Sequence, residues 1–229
     1  SDFISNASHE LRTPITSIMG FSEMLEGGLI PDPEKAKESI RIIHREATRM
    51  SRIINDLLLI SKLENEGAAA PAAPVNVREV AEEIRDALLP DMQEKHIQMD
   101  VSGGDFTVPI SYSHLHNLFS NLMQNAVKYN VEGGSVWVRM ETDDRHLYFS
   151  VKDTGIGIPP EMKSRVFERF FRVDKGRSRT IGGTGLGLAI VKHLANLYNG
   201  SVQLDSELGK GSLFRVTLTY PTTTPDTQH

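Results

Sequence analysis

The sequence predicts an α+β protein in two unlike parts: an all-α helical hairpin, then an α/β layer domain with one sheet covered by helices. Three observations carry this. Apolar residues before the midpoint repeat at alternating spacings of three and four. Residues 67–74 read Gly-Ala-Ala-Ala-Pro-Ala-Ala-Pro, with no large apolar side chain, which is the composition of a linker. Beyond them, period-two alternation mixes with helical stretches. The expected organisation is a hairpin at 1–66, a linker at 67–76, a mixed domain at 77–221 and a polar tail at 222–229.

The first helix carries Ile4, Ala7, Leu11, Pro14, Ile18, Phe21 and Leu25, the a/d seam of a coiled-coil-like element. Gly27-Gly28 and Pro31-Asp32-Pro33 mark a turn, and Ile40, Ile43, Ala47, Met50, Ile54 and Leu57 form a second series. Two helices bury too little surface to stand in water, so a dimeric four-helix bundle is expected, with a hairpin packed on the second domain as the other solution. On the second helix Arg41, Arg45, Arg49 and Arg52 form a basic face, read as solvated surface rather than a docking site. In the mixed domain, strands are expected at Val136-Val138-Met140, Leu147-Phe149-Val151 and Phe214-Val216-Leu218, and helices near 77–94, 112–130 and 185–199. Bunched helices disfavour a doubly wound parallel sheet.

Composition narrows the function. With 39% hydrophobic and 24% charged residues, wholesale disorder is excluded, and 229 residues suffice for two ordinary domains. The net charge of −5 argues against a nucleic-acid partner. The absence of cysteine removes disulfides, thiolate zinc sites and cysteine nucleophiles, and is compatible with a reducing cytosol. No apolar run reaches the ~18–20 residues of a membrane span, and no secretory signal is present. The chain opens Ser1-Asp2-Phe3 rather than with Met, so it reads as a piece of a longer protein whose membrane segments, if any, lie upstream.

His9 falls at position f of the first helix, facing water. A neutral imidazole there is a competent nucleophile toward phosphorus. Thr13 lies one turn along the same face, and Pro14 removes a backbone donor beside it. Exposed histidines are for the most part inert and the chain has eight, so the weight comes from the other motifs. On the helix near 112–130, a polar stripe of His114, Asn117, Asn121, Asn125 and Lys128 accompanies a buried stripe of Leu115, Phe119, Leu122 and Ala126. An amide oxygen suits Mg²⁺ and a lysine suits phosphate, though such a stripe is equally a solvated face. Asp153-Thr154-Gly155-Ile156-Gly157 follows a strand, where the Asp can accept from an exocyclic amine and the glycines admit a flat ring, or simply form a tight turn. Between Arg165 and Arg179, six basic residues with Phe167, Phe170 and Phe171 suit a lid over an anion or ordinary surface. Gly182 to Leu188 opens a helix, a phosphate-binding arrangement. A dinucleotide fingerprint is rejected, because a charged loop precedes it instead of a strand.

The order and wording of these motifs resemble the two-component sensor histidine kinases. Phe3 to Phe21 resembles the phospho-acceptor box, Asn121–Tyr129 (NLMQNAVKY) the N box and Asp153–Glu161 the first glycine box. Val166–Arg172 resembles the F box and Gly183–Lys192 (GTGLGLAIVK) the second glycine box. The resemblance implies a dimerisation and histidine-phosphotransfer bundle followed by an ATP-binding α/β sandwich shared with gyrase and Hsp90. It implies that His9 takes the γ-phosphate, that Glu10 is its acid–base neighbour and that Thr13 orients a water when the partner is dephosphorylated. Asn125 would bind Mg²⁺, with Asn121 and Lys128 near the phosphates, Tyr129 beside the adenine and Asp153 accepting from its amino group. Gly155, Gly157, Gly183, Gly185 and Gly187 would shape the nucleotide pocket, which also takes in Arg172, Thr184 and Leu186. The implied partner is the receiver domain of a response regulator, and the implied setting is the cytoplasmic region of a membrane-anchored protein. After Tyr129 the chain reads Asn130-Val131-Glu132 where the family has Ser or Thr and then Pro.

Related ATPases place a glutamate four residues before the metal-binding asparagine as base for water. Here that position is Asn121, which cannot take a proton, so hydrolysis is expected to be slow and the phosphoryl group left for His9. The competing class is a non-catalytic, nucleotide-binding dimeric scaffold, which loss of His9, Asn125 or Asp153 would favour; all three are present. A predominantly phosphatase protein is the third reading.

Overall fold

The computed structural model describes residues 2–65, 73–173 and 183–221, with side chains from residue 5. Most of the linker, the part of the basic loop at 174–182 and the tail at 222–229 therefore lie outside the described residues. The chain parts into two compact units, Ser1–Ser61 with Glu168–Leu186, and Lys62–Phe167 with Gly187–His229.

The first unit is built on helices α1 (Asp2–Glu26) and α2 (Pro33–Asn65), the latter running on past its end. The turn between them follows from its sequence. Gly28 takes φ 67°, Gly28 N donates to Leu25 O at 3.2 Å and Leu29 N to Met24 O at 3.0 Å, which closes α1 in a Schellman motif. Asp32 Oδ1 accepts from Glu34 N (2.9 Å) and Lys35 N (3.3 Å), capping α2 with Pro33 as its first residue. α1 continues through Pro14, and the described seam residues are buried or half-buried.

The expected α2 series is covered only in part by its own chain: Ile43, Met50 and Leu57 are half-buried. Ile40 is 58% exposed, and Ala47 and Ile54 also face outward. The covered face runs one position earlier, through Ser39 (4% exposed), Glu46, Ile53 and Ile60. A bundle helix has an apolar face wider than one seam, and the pattern alone does not say which flank its own chain covers. The basic face is also not uniform: Arg41, Arg45 and Arg52 are exposed, whereas Arg49 is turned inward.

The second unit is a two-layer α/β sandwich. Its five-stranded sheet runs β2 (Gln98–Gly103), β4 (Ser135–Thr142), β5 (His146–Asp153), β7 (Gly211–Thr219), β6 (Ser201–Glu207). Only β2–β4 is parallel among these pairs. A short ladder joins β1 (Val75–Asn76) to β3 (Thr107–Val108). The three predicted strands are present, with Val136, Val138, Met140, Leu147, Phe149, Val151, Phe214, Val216 and Leu218 all buried, while Trp137 and Tyr148 face outward.

Helices α5 (Tyr112–Lys128) and α6 (Gly187–Leu197) pack on the sheet; Phe119 of α5 stacks on Phe149 of β5 with ring centroids 3.8 Å apart. The helix expected near 77–94 is two helices, α3 (Val77–Ala87) and α4 (Leu89–Glu94). The break precedes Pro90, which cannot donate to the carbonyl four residues earlier. No helix among the described residues is long and apolar enough to cross a membrane.

Candidate functional site

In the sandwich unit the site is assembled on α5, the end of β5 and the start of α6. The buried stripe of α5 (Leu115, Phe119, Leu122, Ala126) packs inward, which leaves Asn121, Asn125 and Lys128 on its less buried flank. Asn121 Nδ2 donates to Asn117 O at 2.8 Å, and this fixes where its oxygen lies. A Cβ on Gly187 would sit 2.3 Å from that Oδ1, so the first residue of α6 must be glycine to lie against α5. At the other end of α5, Lys95 Nζ donates to Val127 O (3.3 Å) and Lys128 O (2.6 Å), a cation on the negative end of the helix dipole. Lys128 Nζ lies 5.1 Å from the centroid of the Tyr129 ring.

Asp153 ends β5 and is only 8% exposed. Its Oδ1 accepts from Gly155 N at 2.7 Å and Ser212 N at 3.2 Å, whereas Oδ2 takes no hydrogen bond among the described residues. Burial pushes its carboxyl above the usual aspartate range, opposed by the two N–H donors. A Cβ on Gly155 would meet Tyr129 O at 2.4 Å, so this backbone approaches the end of α5 as no other residue allows. Gly157 holds φ 67° and its loop is tied to the β6–β7 hairpin by Ile158 N donating to Ser206 Oγ at 2.9 Å.

Residues without a motif complete this floor. Buried Asn130, where the family pattern differs, donates from Nδ2 to Ser135 O (3.2 Å) and accepts at Oδ1 from Val131 N (2.9 Å) and Thr154 Oγ1 (3.1 Å). It thereby closes the turn that a proline would otherwise rigidify. Ser212 acts through its backbone N–H, so no side-chain pattern announces it; Lys95 is one lysine among many until α5 is placed beside it.

In the first unit His9 is exposed on α1, and Thr13, also exposed, donates weakly to His9 O at 3.4 Å. Glu10 is half-buried and bonded to Arg49 of α2. In the same unit Gly185 takes φ 72° and accepts at its carbonyl from Phe170 N at 2.8 Å. Thr184 Oγ1 accepts from Leu186 N (3.2 Å) and donates to Asp56 Oδ2 (2.7 Å). Burial raises the Asp56 carboxyl, against the Thr184 hydrogen bond and the Arg52 charge. Arg172 and Gly183 are half-buried here and Leu186 is buried.

Two family models match: His Kinase A (phospho-acceptor) domain over residues 1–66, and histidine kinase-, DNA gyrase B-, and HSP90-like ATPase over residues 110–222. A structure of the mycobacterial sensor histidine kinase MprB is 30% identical, with 97% of that chain and 65% of this one covered at a TM-score of 0.55. The chain belongs to the two-component sensor histidine kinases. The sensor histidine kinase RppB of Synechocystis is 37% identical over 94% of this chain and 48% of its own length, so the chain spans about half of that relative. Full-length ShkA, solved with AMPPNP, is 29% identical and superposes with a TM-score of 0.70 over 97% of this chain and 46% of its own.

The site chemistry fits an adenine nucleotide. A buried carboxylate with one open oxygen can accept from an exocyclic amine, Gly155 and Gly157 let the turn after β5 lie against the carbonyls of Tyr129 and Glu207, and α6 begins at the glycine pressed on Asn121. Among the described residues no cluster of three His, Cys, Asp or Glu side chains gathers for a metal. An amide such as that of Asn125 could complete the oxygen shell of an Mg²⁺ held mainly by phosphates and water.

Proposed function

We propose that this chain is the catalytic region of a histidine kinase that phosphorylates itself on His9 from ATP and passes the group to an aspartate on a response-regulator receiver domain. The observation that carries this reading is a solvent-facing imidazole in one unit with an amine-accepting, glycine-lined site in the other. The nucleotide bound to ShkA supports ATP as the ligand.

Asp153 accepts from the adenine amine, Gly155 and Gly157 shape the turn that carries it beside Tyr129, and Asn121 and Lys128 meet the phosphates. Gly187 meets the phosphate end from the start of α6, and the glycine-box resemblance assigns Gly183, Thr184, Gly185 and Leu186, with Arg172, to nucleotide binding as well. Asn125 holds Mg²⁺, which when bound neutralises phosphate charge. One ring nitrogen of His9 attacks the γ-phosphorus in line, the bond to ADP breaks, and the proton of the other ring nitrogen passes to Glu10. Asn121 offers no base for water, so the group goes to His9 rather than to hydrolysis. Thr13 orients water for the reverse role, release of phosphate from the partner's aspartate.

Incubation with γ-labelled ATP and Mg²⁺ gives an acid-labile, alkali-stable label that is lost in His9→Gln. A label surviving that substitution removes His9 as acceptor.

The functional unit is a homodimer, and the chain is the cytoplasmic part of a longer, membrane-anchored protein. For the dimer, the support is the uncovered apolar groove of the hairpin, lined by Ile18, Ala47, Met50 and Ile54 and continued by exposed Met19, Ile40 and Leu58. Such a stripe suits a second hairpin. Ile54→Glu is expected to halve the sedimentation mass at micromolar concentration; a mass unchanged at every concentration argues against this face. For the longer parent, the support is the relatives' twofold greater length.

A further inference from the structure

We propose that Arg49 is a positioning residue for autophosphorylation, acting through Glu10. The inference rests on the reading of His9 as acceptor and Glu10 as its proton partner. Adjacent residues on an α-helix point about 100° apart, so Glu10 does not meet His9 by helix geometry alone. A glutamate free in solvent would sample many rotamers and spend little time where an imidazole proton could reach it.

The structure constrains that side chain from the opposite helix. Arg49 Nη2 donates to Glu10 Oε2 at 2.8 Å across 39 residues of sequence, with the arginine side chain 18% exposed and the glutamate 31%. Glu46, one turn earlier on α2, sits 3.9 Å from Arg49 Nη1 and braces the guanidinium from its other side. Glu46 also has Arg45 Nε 3.7 Å away. The pair thus occupies one oxygen of Glu10 and, among the described residues, leaves Oε1 without a hydrogen bond.

Pro14 adds to the local design, because it cannot donate to the Glu10 carbonyl and so spares α1 one restraint at that turn. Arg41 and Arg45 share the helix but stay in solvent, at 61% and 69% side-chain exposure. The role therefore belongs to Arg49 and not to the basic face as a whole.

The test measures initial rates of His9 labelling against ATP concentration in the purified chain. Arg49→Gln is expected to lower kcat roughly 10- to 100-fold, the scale on which misplacing a reacting group acts, with KM for ATP within about twofold. Arg49→Lys keeps a cation and is expected to recover part of the rate. The deciding comparison is the double variant Arg49→Gln with Glu10→Gln, expected to be no slower than Glu10→Gln alone.

Multiplying losses, or a wild-type kcat in Arg49→Gln, overturn the role of Arg49. Circular dichroism monitors the hairpin. Where Arg49→Gln loses helicity, the cycle is run with Arg49→Lys, and a lysine defect that persists in the Glu10→Gln background overturns the proposal. Wild-type label surviving His9→Gln would instead defeat the acceptor assignment itself.

Discussion

Asp153→Asn is expected to weaken nucleotide binding ~100-fold or more while leaving the sandwich at least as stable as before. The asparagine oxygen still accepts the N–H groups of Gly155 and Ser212, so the turn after β5 keeps its hydrogen bonds. Its amide nitrogen then replaces the open acceptor and presents a donor to a donor. Loss of a hydrogen bond to a charged acceptor plus that mismatch costs about 3 kcal/mol, or ~100-fold or more in affinity for ATP.

Stability moves the other way. Burial raises the Asp153 carboxyl, so the folded state holds its proton more tightly than the unfolded chain. The stabilisation from that proton is complete below the ordinary aspartate value of about 3.9 and is lost as pH rises through the higher folded value. At neutral pH the buried charge is therefore a burden that asparagine removes. The melting temperature of Asp153→Asn relative to wild type should rise with pH across that window and then level off. A variant that binds ATP normally, or whose relative stability falls with pH, contradicts the assignment. A carboxylate retained at a cost to the fold is what a binding residue looks like.

Gly157→Ala is expected to be among the most damaging single methyl additions near the site. The residue holds φ 67°, and an added Cβ would sit 2.0 Å from the Glu207 carbonyl oxygen. The backbone would have to move, taking with it the Ile158 bond to Ser206 and the loop that carries Gly155. Strain plus displacement costs about 3 kcal/mol, which corresponds to roughly 6–12 °C in a domain of this size. Gly133→Ala is the control: it shares a φ of 68° but has nothing within 4 Å of the new methyl. It should cost about 1 kcal/mol. Equal melting temperatures for the two variants would mean that the loop and the hairpin yield freely to each other.

The three central strands were legible because one face of each is fully buried, so apolar and polar residues alternate cleanly. β2 and β6 were not, since both are edge strands, and β6 alternates only half-buried with exposed positions. The helix expected near 77–94 kept an apolar pattern across Pro90 and so concealed its break. On α2, Ile40, Ala47 and Ile54 of the expected series lie off the face that the chain itself covers, and that uncovered flank supports a second chain.

Of the site, the sequence by itself determined the chemistry: an imidazole at position f, amides and a lysine on one flank of α5, an aspartate at a strand end, and glycines in the turn after it and at the start of α6. These are properties of residue type and helical or strand period, which neighbours in sequence already express. Only the tertiary structure decided which groups hold them in place. Lys95 at the end of α5, Asn130 and Thr154 under the glycine turn, the Ser212 N–H on Asp153 and Arg49 on Glu10 each join residues far apart in the chain or act through the backbone. A long-range partner leaves no periodic trace, because its identity depends on the register in which two elements pack.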